Sequence, residues 1–399
     1  MTRTPVALAL AFLFLGCGDS SGPAGPANMV AAGGNLQSGP AFGTVPVPLR
    51  VLVTGSDGAP FPGASVTWQV TAGGASVSAA TSSTDAAGHA STTVTLAGPG
   101  PVSVRASAGG LMVTFQLTSV HPCLYLAPFA ADTTVAGSLT ATDCSADEDP
   151  PFGTTFFDLY GLPLGTQKMV AITMRSTAVD ALLWLWGAGS AGPLIAVDDD
   201  GGDGTNGTDS RIKAVLRAGS FQVWANTFDS TMQFGSYTLT AATATTVTGC
   251  EEVWLSGNVA FAEAVAATDC VFTTGQDTYY SDAYLIILLA GQSVTFLQSS
   301  IAFDAYLSLL RVDQDSVRLV AENDNGGGGN DAQIAYNSGV DALYILDAGT
   351  ASPTVVGNYT LSIGQISGAP PAGALGFGPR PGQRHDLARA RLRLPLRRL

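Results

Sequence analysis

Apolar and polar residues alternate with a period of two along most of the chain. In residues 65–71, Val66, Trp68 and Val70 fall on one side and Thr67, Gln69 and Thr71 on the other. Ala90, Thr92, Val94 and Leu96 alternate with Ser91, Thr93 and Thr95, and Leu111, Val113, Phe115 and Leu117 repeat the pattern. A period of two is the mark of antiparallel strands that bury one face. Turn-forming clusters separate these runs: Gly55-Ser56-Asp57-Gly58, Pro60-Phe61-Pro62-Gly63 and Asp85-Ala86-Ala87-Gly88. Short alternating strands at this spacing predict a β-sandwich over residues 41–120. Further along, Val170, Ile172 and Met174 share a face, as do Val294 and Phe296. The 48 glycines and 22 prolines among 399 residues argue against long helices.

Residues 41–120 carry a recognisable set of positions. Val53, Asp57-Gly58-Ala59-Pro60 and Gly63-Ala64-Ser65-Val66-Thr67-Trp68 are followed by Thr84-Asp85-Ala86-Ala87-Gly88-His89-Ala90. The set resembles the bacterial immunoglobulin-like domain of the invasin and intimin type. The resemblance implies a seven-stranded immunoglobulin-like sandwich that serves as a rigid spacer or display module on cell surfaces. His89 falls in the turn-to-strand motif and is read as structural.

The rest of the body is duplicated. Phe157-Asp158-Leu159-Tyr160 corresponds to Ser281-Asp282-Ala283-Tyr284, and Ser176-Thr177-Ala178-Val179-Asp180 to Ser300-Ile301-Ala302-Phe303-Asp304. Ala196-Val197-Asp198-Asp199-Asp200-Gly201-Gly202 corresponds to Ala321-Glu322-Asn323-Asp324-Asn325-Gly326-Gly327. Gly235-Ser236-Tyr237-Thr238-Leu239 corresponds to Gly357-Asn358-Tyr359-Thr360-Leu361. Leu183 and Leu185 recur as Leu307 and Leu309, which marks them as core. The repeat resembles the bacterial pre-peptidase C-terminal domain, with its Asp-x-Tyr strand, Asp-Asp-Gly-Gly turn and closing Gly-x-Tyr-x-Leu strand. That resemblance implies two jelly-roll-like sandwiches. The family module usually trails a secreted protease; no protease domain precedes it here, so proteolysis is not carried over.

Cys123 with Cys144 and Cys250 with Cys270 form two similarly spaced pairs, one in each copy. Four cysteines allow three pairings, and the repeat selects the local one. A zinc site is disfavoured because no CxxC or neighbouring histidine is present. Disulfides imply export. The amino terminus agrees: Arg3, an apolar run Val6–Leu15 too short to span a bilayer, then Gly16-Cys17 and a Gly/Ser/Pro-rich stretch. This looks like a bacterial lipoprotein signal, in which Cys17 becomes the lipid-modified first residue, although Phe14 stands where that signal usually has leucine. The competing reading is an ordinary secretory signal with a chance cysteine.

Charge narrows the partners. The chain carries 17 basic and 31 acidic residues, but Pro379–Leu399 holds seven of the basic ones and one acid. The body is therefore strongly acidic and repels nucleic acid. The basic tail is read as disordered, either a membrane-surface segment or an extension without function. Asp198, Asp199, Asp200 and Asp203 lie in one glycine-rich loop, and calcium is the cation such a loop would take, since it seeks six to eight oxygens. Copy two offers Asn323–Asn330 with less charge. The bland reading is a solvated turn whose Asp and Asn cap the backbone. Asp158, Asp180, Asp282 and Asp304 are candidate acid–base pairs or, in the favoured reading, acceptors for loop amides. Trp184, Trp186, Trp224 and Trp254 could stack sugars or pack the core. No GxSxG, HExxH, P-loop or GxGxxG motif is present.

The expectation is an all-β chain of three tandem β-sandwiches with an N-terminal tether and a basic C-terminal tail. Its segments are a signal over 1–16, a tether over 17–40, the immunoglobulin-like domain over 41–120, the repeat copies over 121–248 and 249–364, and the tail over 365–399. The function expected is that of an exported, lipid-anchored, non-enzymatic protein of the cell envelope, at the outer membrane or cell surface. It would adhere to, bind or scaffold a protein or glycan ligand. The alternative is a carbohydrate-binding accessory protein.

Overall fold

The predicted alternation becomes strand at the runs above, the one over 90–96 being broken at Thr93 into strands of two different sheets. The computed structural model describes residues 25–148, 153–187, 193–202, 208–228, 234–313 and 316–368. Among them no α-helix is present, and one 3-10 turn covers Pro122–Leu124. The chain divides into two compact units, 1–121 and 122–399.

The first unit contains β1 (Asn28–Gly33), β2 (Gln37–Pro40), β3 (Leu49–Thr54), β4 (Ser65–Ala72), β5 (Ala75–Val77), β6 (Thr81–Ser83), β7 (His89–Thr92), β8 (Val94–Leu96), β9 (Gly100–Ala108) and β10 (Leu111–Val120). One sheet runs β1-β3-β7 and another β2-β10-β9-β4-β6, with β5-β8 paired beside them. Their inner residues Val51, Val66, Trp68, Val104 and Phe115 form one buried cluster. Trp68 and Phe115 meet at 5.9 Å between ring centres. The turn before β7 is held by Asp85, whose Oδ1 accepts the amides of Ala87 and His89 at 2.9 and 2.8 Å. Gly88 there has φ +76°, and a Cβ on it would lie 2.5 Å from the Val53 carbonyl oxygen, so only glycine fits. His89 sits beside Asp85 in this turn, as its structural reading requires.

The segment read as a tether is partly folded. β1 pairs antiparallel with β3, and β2 pairs parallel with β10. Met29 and Gly39 are buried. Parallel pairing of β2 with the last strand of the unit leaves no local turn signal, so the Gly/Ser/Pro content of the segment dominated its reading.

In the second unit the first copy contains β11 (Ala127–Pro128), β12 (Thr133–Leu139), β13 (Cys144–Glu148), β14 (Gly153–Leu164), β15 (Lys168–Arg175), β16 (Ala181–Trp186), β17 (Leu194–Asp198), β18 (Ser210–Leu216), β19 (Gly219–Thr227) and β20 (Gly235–Ala244). The second copy contains β21 (Glu252–Leu255), β22 (Val259–Val265), β23 (Cys270–Thr274), β24 (Asp277–Leu288), β25 (Ser293–Ser299), β26 (Ala305–Asp313), β27 (Ser316–Asn323), β28 (Ala332–Asn337), β29 (Ala342–Thr350) and β30 (Gly357–Ile363). The order β14-β19-β16-β17 of the first copy returns as β24-β29-β26-β27, and β12-β20-β15-β18 returns as β22-β30-β25-β28. Each copy is thus a two-layer sandwich, as the internal repeat predicts.

The copies are not separate beads. Edge strand β18 pairs in parallel with β21 at Ala214↔Trp254 and Val215↔Leu255, and β21 pairs in parallel with β24 at Trp254↔Leu285. One layer of each copy therefore belongs to a single ten-stranded sheet. Its two faces serve different cores. Ala214, Trp254, Leu285 and Ile345 join the core of the first copy. Val215, Leu255, Tyr284 and Leu346 join that of the second.

Both expected disulfides are present, Cys123–Cys144 and Cys250–Cys270. In each copy the second cysteine opens the short strand, β13 or β23, that pairs with the long strand after it.

Candidate functional site

Three constellations carry the polar chemistry of the second unit. The first is built by alternation on the long strands. Asp158 and Tyr160 are two apart on β14 and so face the same core, as do Asp282 and Tyr284 on β24. Tyr237 of β20 donates its hydroxyl to Asp158 Oδ2 at 2.6 Å, and its oxygen lies 2.7 Å from the hydroxyl of Tyr160. The second copy repeats this with Tyr359, Asp282 and Tyr284, at 2.6 Å for both bonds. Burial raises the Asp158 carboxyl to about 6 against the Tyr237 bond that lowers it, with the charge of Asp143 adding to the rise. Burial likewise raises Asp282 to about 7, opposed by Tyr359 and reinforced by Asp269, Glu263 and Glu251. The four tyrosine hydroxyls are pushed up by the same burial.

These aspartates are structural, as favoured above, but their partners are tyrosine hydroxyls across the sandwich and not loop amides. The Asp-x-Tyr and Gly-x-Tyr pairs were legible; that they close on one another depends on the pairing of the two layers. The backbone carbonyls of Asp180 and Asp304 accept the amides of Phe228 and Ala351 at 2.8 Å.

The second constellation is the acidic loop. Asp198 ends β17 and is 1% exposed. Its Oδ1 accepts the amides of Gly201 at 2.9 Å and Arg211 at 2.7 Å, and its carbonyl accepts Ser210 Oγ at 2.6 Å. Asn323 takes the same place in copy two, accepting the amides of Gly326 and Gln333. An amide oxygen clamps the loop as a carboxylate does, which explains the Asp-to-Asn exchange between copies. Beneath each clamp a serine, Ser176 or Ser300, accepts two amides through Oγ and donates to a backbone carbonyl at 2.8 Å.

Asp199 is raised to about 7 by burial and by the charges of Asp200 and Asp180. Glu252, at the start of β21, is raised to about 7 by burial and by Asp200. Asp203 lies outside the described residues, as does Cys17. Among the described residues no three His, Cys, Asp or Glu side chains are grouped to hold a metal ion. Asp198 turns its Oδ1 to backbone amides, and the loop's fourth carboxylate in the calcium reading is Asp203, outside those residues.

The third constellation is aromatic. Trp224 stacks on Phe157 at 4.6 Å and on Trp184 at 5.6 Å, and Trp186 lies 5.2 Å from Trp224. Trp184 and Trp186 are 2% and 6% exposed, and Trp254 is 1% exposed within the shared sheet. A sugar-stacking platform presents ring faces to solvent; these three rings are spent on packing.

Where the copies meet, a cleft of about 380 Å³ is bounded by Leu194, Ile195, Leu255, Ile287 and Ile366. Arg217 is the one charged side chain among its described lining residues. Such a cleft offers an apolar floor and a single cation, without an acid–base pair. Beside it the junction is pinned by Lys213. Its ammonium, nearly buried on β18, donates to Thr246 O at 2.7 Å and pairs with Glu251. Burial alone would raise Glu251, but the bonds from Lys213 and Thr248 outweigh it and hold its carboxyl below the usual range.

Comparison with known proteins bears on the first unit. Residues 35–120 match the bacterial Ig-like domain (group 1). The match begins six residues before the boundary read at 41, within the folded part of the expected tether. No curated protein matches the chain significantly.

Several solved structures resemble this chain at low identity. The pre-peptidase C-terminal domain of a collagenase from Bacillus anthracis is 16% identical, covering 29% of this chain and 94% of that one, with a TM-score of 0.23. Tripeptidyl peptidase 2 is 11% identical, covering 84% of this chain and 33% of that one, with a TM-score of 0.19. Yersinia pseudotuberculosis InvD is 14% identical, covering 78% of this chain and 82% of that one, with a TM-score of 0.17. At these scores none of the three carries an argument about function.

Proposed function

We propose that the chain is an exported, lipid-anchored, non-enzymatic protein of the bacterial cell envelope that binds or scaffolds a partner at the outer membrane or cell surface. The observation that carries this reading is the bacterial Ig-like domain over residues 35–120, standing behind a signal-like segment that ends at Cys17. Two disulfides suit an oxidising compartment. The carboxylates that acid–base chemistry would need are tied to tyrosines or to backbone amides. Adhesion fits this arrangement: a spacer domain precedes a broad β-surface, and binding rests on surface complementarity. The carbohydrate-binding alternative loses its platform with the burial of Trp184, Trp186 and Trp254.

The test is mass spectrometry of the amino-terminal peptide from the native membrane fraction. The reading expects an acylated Cys17 and a Cys17→Ala variant released into the soluble fraction. An unmodified chain that is soluble whether or not Cys17 is present would overturn the anchor.

A further inference from the structure

The repeat supplies its own template for a strand-binding edge. In the first copy the outer side of β18 is filled by β21, and Ser256 donates its amide to the Val215 carbonyl at 3.1 Å. The counterpart of β18 is β28. Both pair with the preceding long strand of their layer, and both begin beneath the same clamp, Asp198 on Arg211 or Asn323 on Gln333. β28 stands at the end of its sheet and pairs with β25 alone. Ser338 donates to the Gln292 carbonyl at 2.8 Å, which fixes the alternation of the ladder. The amides of Ile334 and Tyr336 then turn toward β25, and those of Ala335 and Asn337 turn outward. These two amides have no hydrogen-bond partner among the described residues. An edge of this kind is a ready template for another strand.

We propose that the outer edge of β28 is a strand-acceptor site and that its occupant is the chain's own segment Ala374–Phe377, added in parallel as β21 is added to β18. Three observations favour this occupant. First, spacing: Ala374 stands as far beyond Gly357, the start of β30, as Glu252 stands beyond Gly235, the start of β20. Second, size: in that register Gly376 takes the place of Trp254 and Tyr336 the place of Ala214. Large faces small in one copy and small faces large in the other. Third, a receiving surface: Phe377 takes the place of Leu255 and falls opposite Asn337. Asn337 there forms the rim of a concavity of about 320 Å³ that extends across β25 and is lined by Ser293, Thr295, Ala335, Gly364 and Ser367 as well.

The other candidate occupant, β11 of a second copy, is blunted. Tyr160 and Tyr284 are counterparts, so Pro128 stands where Trp254 turns its amide toward β18. Proline has no amide to donate, and on an edge strand it discourages pairing. The six-stranded sheet is therefore blunted at its β11 edge, while the four-stranded sheet is open at its β28 edge.

The experiment compares amide exchange at residues 335 and 337 in the full chain, in a chain stopped after Gly368, and in Phe377→Asp. The proposal expects exchange at least about tenfold slower in the full chain than in either variant, independent of protein concentration. Equal exchange in all three would overturn it. Protection that vanishes on dilution would also overturn it, by assigning the edge to a second copy.

Discussion

Replacing Trp254 with alanine tests the shared sheet where it is thinnest. Strand β21 has four residues, and its indole is 1% exposed between Ala214 of one copy and Leu285 of the other. Truncating a fully buried tryptophan costs about 3–5 kcal/mol, the sum of lost transfer free energy and the cavity left behind. For a body of this size that corresponds to a fall in Tm of roughly 10 °C. The diagnostic readout is where the loss appears. Because the indole belongs to the first copy's core while its backbone joins the second, amides of both β18 and β24 should exchange faster in Trp254→Ala, measured by hydrogen exchange with mass spectrometry. Urea denaturation gives the magnitude. A loss under about 1 kcal/mol, or faster exchange in β24 and β29 with β15 and β18 untouched, would refute the reasoning and return the copies to independent sandwiches.

Further outcomes follow from the other constellations. Removing the Cys250–Cys270 bridge by a double serine substitution should cost about 3 kcal/mol in urea denaturation under oxidising conditions, the chain-entropy value for a loop of this size. Asp282 has a folded pKa of about 7, above its ordinary 3.8. Its contribution is therefore present below pH 4 and lost as pH rises through 7, with a slope of at most about 1.4 kcal/mol per unit. Asp282→Asn should flatten the stability–pH curve across that window, and an unchanged curve would show that the carboxyl ionises freely. Millimolar calcium tests the metal reading of the Asp198 loop: a melting temperature of the full chain several degrees above that in chelator supports it, and an unchanged one sinks it.

Much of the fold was legible because period-two alternation reports one-face burial directly. Val66, Trp68, Val170, Ile172, Leu307 and Tyr359 are buried where the pattern placed them. The disulfides were legible because the duplication tied each cysteine pair to its own copy. What stayed hidden is what alternation does not encode. The union of β18, β21 and β24 is parallel pairing between distant segments, and Glu252-Val253-Trp254-Leu255 is too short a run to announce it. The folding of β1 and β2 was hidden for the same reason.

The polar constellations were half legible. Asp158, Tyr160 and Tyr237 stood out as repeated positions, but a carboxylate beside a tyrosine reads equally as a site or as a strut until the opposing layer is placed. The acidic loop reads as a cation site or as a capped turn on charge density alone. Asp198 spends its Oδ1 on two backbone amides, and Asn323 does the same work without charge.

A common sheet makes the two repeats one cooperative body. Pulsed hydrogen exchange of the native chain in rising denaturant reads this out. Peptides from β15, β18, β24 and β29 should lose protection together, in one step, separately from the Ig-like unit. Two steps, with β15 and β18 opening at one denaturant concentration and β24 and β29 at another, would contradict it.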